Sequence, residues 1–319
     1  MPELPEVENL RRGLEKNLVG QKILRIKVKK PKLVSGKGNV RTASLKKARE
    51  FKLGLKNECF SGIERRAKNL IFRFASGPPS RKATAGQGKI MLVHLKMSGQ
   101  FVYLPSHKAT ARRSKGKQEK VIGGHPIELS EREVPNKHTH VIFELSKGAL
   151  YYNDTRMFGY LLYYPSIELF EGVNHFALLG LEPFDKKFTL EYLRDALKKK
   201  KGGIKSVLMD QKVVTGLGNI YADESLFEAR IHPERSASLI KKEEITRLYR
   251  AILRIMSRAI EVGGSSVATY RLLDESRGNY AREHKVYGKA GQKCPRCKHP
   301  LSKILVQSRT TIFCPRCQK

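Results

Sequence analysis

The chain lacks the features that mark membrane-spanning or secreted proteins. No apolar run approaches the roughly 20 residues that a spanning helix needs, and the N-terminus has no apolar signal-peptide core. These absences argue against a membrane partner. The sequence therefore predicts an intracellular protein.

Acidic residues are scarce relative to basic ones. There are 30 Asp and Glu against 63 Lys and Arg, which gives a formal net charge of +33 and a pI near 10.1. An adaptation for solubility or high salt would normally be acidic. An excess of positive charge instead indicates a polyanionic partner, for which nucleic acid is the best candidate.

Cysteines are few, but four of the five stand in two Cys-x-x-Cys pairs. Cys294 and Cys297 form the first pair, and Cys314 and Cys317 form the second, with 16 residues between the pairs. This spacing fits a tetrahedral thiolate site for one structural Zn²⁺, with a hairpin between the two knuckles. Disulfides would be unusual in an intracellular protein. Cys59 is expected to be a small buried hydrophobic residue.

The periodicity of apolar residues divides the chain into three domains and predicts an α+β multidomain fold. Residues 1–165 show short stretches of period two, typical of a β-sandwich, and residues 166–183 read as a linker. Residues 184–290 have helical periodicity, and residues 291–319 are the zinc hairpin. Two basic stretches, residues 76–89 and 106–120, are predicted to be loop insertions.

Two helical features are expected within residues 184–290. One long amphipathic helix runs through Ile245 and Ala259 and stops at Gly263. Before it, residues 205–214 and 220–230 are expected to form two helices joined by a glycine-bearing turn. Glycines and the N–H groups that open the second helix could make an anion site, although a plain connection between helices explains the same turn.

The N-terminus carries a possible nucleophile. If Met1 is removed, Pro2 becomes a secondary amine with the carboxyl groups of Glu3 and Glu6 nearby. An α-amino group titrates near 8, far closer to neutrality than a lysine at about 10.4, so it suits Schiff-base chemistry. The alternative is a simple helix start, since Pro5 suits the first turn and a helical apolar stripe follows.

The string MPELPEVE, the segment of residues 206–225 and the following Ile231-His232-Pro233 resemble the formamidopyrimidine-DNA glycosylases. The resemblance implies excision of oxidised purines from double-stranded DNA by a glycosylase that is also a lyase, in base excision repair. It implies attack by the N-terminal proline, a Schiff base, and β- and δ-elimination at the abasic site. The zinc ion would serve only the fold of the hairpin. A monomer in the cytoplasm, associated with the nucleoid, is expected.

The same resemblance implies roles for individual residues. Pro2 matches the nucleophile, Glu3 its acidic partner and Glu6 a second carboxylate. Three residues match those that enter the duplex when the damaged nucleotide leaves it, and three match phosphate ligands. The first three are Met97, Arg156 and Phe158, and the phosphate ligands are Lys68, Asn219 and Arg309.

Simpler interpretations of these residues are also open. Lys68 could be a solvated strand end, Met97 and Phe158 could be core residues, and Arg309 could be one more charge in a basic tail. The chain departs from the family pattern at Lys96, where glycine is frequent, and at Met157, where a second arginine is common. Both departures concern the preference for the opposite base.

Three alternative functions remain. The sister endonuclease VIII group favours oxidised pyrimidines, but it typically begins Pro-Glu-Gly-Pro, so Leu4 favours the purine branch. Residues 276–281 resemble the lesion-capping loop of that branch. A catalytically silent DNA-binding protein would keep the basic surface, the turn and the zinc hairpin but would not need Pro2, Glu3 and Lys68. An RNA-associated zinc-ribbon protein would share the charge and the cysteines but not the N-terminal carboxylates or the residues that enter the duplex.

Overall fold

The computed structural model describes residues 2–36, 42–76, 88–106, 121–124, 134–265 and 279–319. Met1, most of both basic insertions and the first part of the expected lesion-capping loop lie outside the described residues. The described residues form two compact units. The sandwich unit contains Pro2, Glu6–His175 and Ser265, and the helical unit contains Glu3–Pro5, Phe176–Gly264 and Asn279–Lys319.

Eight α-helices occur in the described part of the chain. Two further short segments, Pro31–Val34 and Ala237–Leu239, are 3₁₀ helices. The α-helices are α1 (Leu4–Leu18), α2 (Leu45–Leu55), α3 (Ile167–Gly172), α4 (Leu190–Lys198), α5 (Ile204–Met209), α6 (Asn219–Ala229), α7 (Lys242–Glu261) and α8 (Tyr280–Glu283).

The described strands form three antiparallel sheets. A five-stranded sheet has the order β1-β7-β8-β5-β6, a four-stranded sheet has the order β2-β3-β4-β9, and β10 pairs with β11. The strands are β1 (Ile23–Val28), β2 (Cys59–Arg66), β3 (Asn69–Ala75), β4 (Lys89–His94), β5 (Gly99–Pro105), β6 (Val121–Gly124), β7 (Thr139–Leu145), β8 (Gly148–Asp154), β9 (Tyr160–Tyr164), β10 (Ser302–Val306) and β11 (Arg309–Phe313).

The two larger sheets share one aromatic core. Phe72 of the four-stranded sheet meets Phe101 of the five-stranded sheet edge-on, with ring centroids 5.7 Å apart. Phe101 in turn packs against Tyr152 at 5.3 Å. The α1 residues Leu10 and Leu14 are buried in the same cluster. The expected β-sandwich and the α+β multidomain fold are confirmed.

Helix α2 lies in a part of residues 1–165 where the sequence predicts no helix. Ser44 begins the helix, because its hydroxyl accepts a hydrogen bond from the Lys47 N–H. Ala48, Phe51 and Leu55 are buried, and their spacing of three and four residues is helical. This spacing was present in the sequence, and the expectation of period two throughout was wrong here. Cys59 is buried, as expected.

The helical unit is built around the long helix α7, which is confirmed. Its buried face includes Ile245, Leu248 and Ile255. Helix α5 is shorter than expected, because it ends at Met209 instead of continuing to residue 214. Asp210 has an extended backbone and its carboxylate accepts the Lys212 N–H, which starts the turn early.

The zinc hairpin has a tight two-residue turn. Gln307 and Ser308 both have positive φ, 46° and 59°, which suits the twist of a short hairpin. Among the described residues, no helix is long and apolar enough to span a membrane.

Candidate functional site

Glu3 is buried at the start of helix α6 in the helical unit. Its Oε1 accepts a hydrogen bond from the Ile220 N–H at 3.0 Å, and the positive end of the helix favours a carboxylate there. Gly218 makes room for it, since a Cβ at this position would lie 2.4 Å from Cδ of Glu3. A larger residue at 218 would therefore displace an acidic side chain more than 200 residues away in the sequence.

The second glycine of the turn has a related role. Gly216 has φ of +90°, and a Cβ there would lie 2.5 Å from a methyl group of Leu4. The Gly216 carbonyl accepts the Leu4 N–H at 3.1 Å. The sequence suggested a close approach to phosphate as the reason for these glycines, and it carried no sign of their fit to the N-terminal segment.

Pro2 and Glu6 belong to the sandwich unit, and both are buried. The Glu6 carboxylate accepts the Ser265 N–H at 2.7 Å. Helix α1 begins at Leu4, so the helix start that competed with the chemical interpretation is real. The two interpretations are compatible, because Pro2 and Glu3 precede the helix.

Lys68 lies in the two-residue turn between β2 and β3, after Ala67 with φ of +57°. The residue is only 6% exposed, so the alternative of a solvated strand end is wrong. His94 lies close enough to Lys68 for the ammonium charge to affect the pKa of its ring. Desolvation, with the ammonium groups of Lys96 and Lys68, lowers the pKa of His94 to about 3. The neutral ring accepts the Lys96 N–H at Nδ1, 2.9 Å away.

Met97 and Phe158 are exposed, 40% and 41% respectively. The alternative that they are core residues is therefore wrong. The Arg156 guanidinium lies over the Phe158 ring, 4.7 Å from its centroid, in a cation–π arrangement. Exposed large apolar side chains next to a cation suit insertion into a base stack.

Asp154 holds the loop that carries Arg156 and Phe158. Its fully buried carboxylate accepts backbone N–H groups of Arg156 at 3.2 Å, Met157 at 3.0 Å and Gly159 at 2.7 Å. It also accepts the Ser98 hydroxyl. Asp154 was not among the expected site residues, although it lies two residues before Arg156.

Both departures from the family pattern lie at left-handed backbone positions. Lys96 has φ of +51° and Met157 has φ of +53°. A non-glycine residue in this region is uncommon, so the backbone at the first position favours glycine.

Asn219 and Arg309 both lie in the helical unit. The Asn219 side-chain N–H donates to the Thr310 carbonyl at 3.1 Å, and Thr310 follows Arg309 directly. Arg309 is exposed at the start of β11. Asn219 is therefore hydrogen-bonded to the hairpin residue that directly follows Arg309, the other expected phosphate ligand.

A buried ion pair ties the hairpin to helix α6. Lys205 and Asp223 are fully buried with Nζ and Oδ1 2.7 Å apart. Lys205 also donates to the Thr311 hydroxyl at 2.6 Å, and Asp223 accepts the Ile312 N–H at 3.2 Å. Burial lowers the pKa of Lys205 and raises the pKa of Asp223 to about 6. No motif in the sequence pointed to this pair.

Glu224 fastens the segment before the zinc hairpin. Its buried carboxylate accepts the N–H groups of Lys285 at 2.8 Å, Val286 at 3.0 Å and Tyr287 at 2.8 Å. Burial raises the pKa of Glu224. This carboxylate was also not among the expected site residues.

The four paired cysteines converge as a metal site requires. The Sγ atoms of Cys294, Cys297, Cys314 and Cys317 lie within 4.8 Å of one another. Four thiolates at this separation fit a tetrahedral Zn²⁺ with Zn–S bonds of about 2.3 Å.

Three family models match the chain. The formamidopyrimidine-DNA glycosylase N-terminal domain matches residues 1–161, and the H2TH domain of the same enzymes matches residues 179–271. A zinc finger found in FPG and IleRS matches residues 291–319. The first model alone covers half of the chain.

The chain belongs to the formamidopyrimidine-DNA glycosylase family.

Full-length relatives agree with this assignment. The formamidopyrimidine-DNA glycosylase of Desulfitobacterium hafniense is 36% identical over 318 residues, covering 100% of both chains. That of Cytobacillus firmus is 37% identical over 320 residues, again with 100% of both chains. Membership in the formamidopyrimidine-DNA glycosylase family confirms the expected DNA repair glycosylase and lyase with one structural zinc.

Solved structures of the formamidopyrimidine-DNA glycosylase family share the fold. Lactococcus lactis Fpg in complex with an abasic site containing DNA has a TM-score of 0.79 and 34% identity, and covers 99% of each chain. MutM in complex with carbocyclic 8-oxo-G containing DNA has a TM-score of 0.78 and 34% identity, covering 100% of each chain.

Proposed function

We propose that this glycosylase excises 8-oxoguanine and formamidopyrimidines from duplex DNA and cleaves the resulting abasic site, with Pro2 as nucleophile and Glu3 as its acid partner. The observation that carries the proposal is the Glu3 carboxylate, buried against the Ile220 N–H in a space that only glycine at 218 leaves open. Its covalent neighbour is Pro2, which is also buried. A DNA-binding protein without chemistry would not need such a carboxylate beside an N-terminal proline.

The proposed reaction begins with removal of Met1, which frees the Pro2 nitrogen. The nitrogen lone pair attacks C1′ of the damaged nucleotide, the bond from C1′ to the base breaks, and the base leaves with the proton that the Pro2 N–H gives up. Glu3 then protonates the ring oxygen as the bond from C1′ to that oxygen breaks and the sugar opens. The product is an iminium between Pro2 and C1′, which acidifies the C2′ proton. Loss of that proton expels the 3′ phosphate, and a second elimination expels the 5′ phosphate.

The exposed side chains are assigned to the DNA. An enzyme that acts on C1′ must first extrude the nucleotide, at a cost of a few kcal/mol. Met97, Arg156 and Phe158 are proposed to fill the space that it leaves. Lys68, Asn219 and Arg309 are proposed to bind phosphates, which positions the duplex without reading its sequence. Glu6 is proposed as a second carboxylate at the reacting end.

Support for the substrate comes from the relatives. The Lactococcus lactis protein has been solved with abasic DNA and, in a mutant form, with a Fapy-dG containing DNA. We extend these ligands to this chain and place the enzyme, as a monomer, on the DNA of the bacterial cytoplasm. The domain boundaries at residues 165, 183 and 290 remain part of the proposal.

The decisive experiment is borohydride trapping on a duplex with one 8-oxoguanine opposite cytosine. The wild type, with loss of Met1 verified by mass, is expected to form a covalent adduct that maps to Pro2. Pro2→Gly keeps an α-amino group but loses the proline ring, so its adduct should form more slowly than that of the wild type, and Glu3→Gln should lose base excision.

An abasic-site duplex is the control substrate. No adduct on either duplex would overturn the proposed nucleophile. An adduct on the abasic duplex alone would show the lyase chemistry and refute the assigned base specificity.

A further inference from the structure

A groove on the sandwich unit lies between the edge strand β1 and helix α2. It encloses about 560 Å³, within the range of roughly 300–1,000 Å³ that is usual for ligand sites. Three large apolar side chains that line it are unusually exposed, Leu24 by 48%, Leu45 by 80% and Leu53 by 63%. Such a cluster of exposed apolar residues marks an interaction surface.

The strand side of the groove offers a free backbone edge. Among the described strands, β1 is the outermost of its sheet, and it pairs with β7 on one side only. Beyond Ile23, which bonds to Asn57 and Glu58, the backbone of residues 24–28 forms no hydrogen bond to any described segment other than β7. A free edge of five residues is about 17 Å long and can accept one further strand.

The charged lining of the groove is uniformly basic. Arg25 lies on β1. Arg49 and Lys52 lie on α2, and Lys56 lies directly after its last residue. Within the described residues, none of these four cations forms an ion pair. Neighbouring cations do form such pairs, for example Lys27 with Glu144 at 2.8 Å.

We propose that this groove binds an extended acidic peptide of a partner protein, which adds a strand to β1 and turns its acidic side chains towards the cations of α2. A strand presents side chains to alternate faces, so a peptide that alternates acidic and apolar residues can turn all its acidic side chains towards Arg49, Lys52 and Lys56. Duplex DNA would complement the positive charge of the groove, but it would neither bury the leucines nor extend the sheet at the strand edge. Addition to a free edge with side-chain pockets beside it is a known mode of peptide recognition.

The test uses a fluorescein-labelled octapeptide of alternating aspartate and leucine, with binding measured by fluorescence anisotropy. Arg49→Glu with Lys52→Glu is expected to weaken binding by about tenfold or more. The matched control is Lys46→Glu with Lys198→Glu, which reverses two exposed lysines that do not line the groove. It should bind the peptide like the wild type. Both variants should cleave abasic DNA at the wild-type rate.

Two modified peptides test the strand geometry. N-methylation of alternate amides should abolish binding, because it removes the hydrogen bonds to β1. A peptide of the same composition with all aspartates first should bind weakly, because it places charge and leucines on both faces.

Equal binding of either modified peptide would overturn the proposal in favour of simple charge attraction. Displacement of the peptide by undamaged duplex DNA, with DNA binding equally sensitive to the reversal at Arg49 and Lys52, would show a DNA contact instead. Self-association of the free protein that the same reversal abolishes would identify a second copy as the occupant.

Discussion

One buried carboxylate in each unit accepts three backbone hydrogen bonds, but the sequence distance between acceptor and donors differs greatly between the two. Asp154 in the sandwich unit accepts three backbone N–H groups from residues two to five positions ahead of it. Glu224 in the helical unit accepts three from residues 61 to 63 positions ahead. Asp154 shapes one local loop, whereas Glu224 joins two distant parts of the chain.

The difference separates local positioning from global stability. The loop at Asp154 carries Arg156 and Phe158, so a substitution of Asp154 is expected to affect activity more than stability. The segment at Glu224 leads into the zinc hairpin, so a substitution of Glu224 is expected to affect mainly the stability of the helical unit. Glu3 is another buried carboxylate, and in the proposed function it takes part in the reaction itself.

The sharpest test adds a methyl group beside the carboxylate that is proposed to react. In Gly218→Ala the new Cβ would lie 2.4 Å from Glu3 Cδ, so the carboxylate must move. A displacement of about 1 Å at a reacting group can cost about 100-fold in rate, and we expect a loss of that size in single-turnover base excision.

Gly62→Ala in β2 is the matched control, since no atom lies within 4 Å of its Cβ position. Its rate should stay within about twofold of the wild type. A Gly218→Ala enzyme of normal rate would remove the reason for assigning chemistry to Glu3.

The second test weakens the long-range link. Glu224→Gln replaces one acceptor oxygen with an N–H group that faces the N–H donors of residues 285–287. A buried donor left unsatisfied costs about 1–3 kcal/mol. We expect the free energy of unfolding of the helical unit to fall by about 2 kcal/mol, measured by urea denaturation with zinc bound.

At low temperature, the excision rate of Glu224→Gln should change proportionally less than its free energy of unfolding. An unchanged urea midpoint would mean that the three hydrogen bonds do not hold this segment.

The smallest expected loss of stability comes from Asp154, whose hydrogen bonds are local in sequence. Asp154→Asn keeps one acceptor oxygen, and the loop of residues 154–159 can adjust without separating larger elements. Stability should fall by about 1 kcal/mol, while excision of 8-oxoguanine should fall by about tenfold, because Arg156 and Phe158 lose their fixed geometry. If Asp154→Asn lowers stability as much as Glu224→Gln and leaves excision intact, the distinction between the two carboxylates is wrong.

Local patterns in the sequence were sufficient for much of the fold. The sandwich strands, helix α7 and the cysteine site follow from alternation, helical spacing and Cys-x-x-Cys pairs, all of which span fewer than about 25 residues. Helix α2 was missed even though Ala48, Phe51 and Leu55 have helical spacing, because flanking strands set the expectation. The end of α5 at Met209 depended on the Asp210 side chain, which competes locally with the helix.

The sequence by itself determined the class of fold, the zinc site, the basic charge and, through its resemblance, the family. Only the tertiary structure decided that Lys68 is buried, that Met97 and Phe158 are exposed, and that Gly218 leaves room for Glu3. Burial and contact between residues far apart in the sequence arise only when the chain closes on itself. Because short-range periodicity carries no information about which distant surfaces meet, these features could not be predicted from spacing alone.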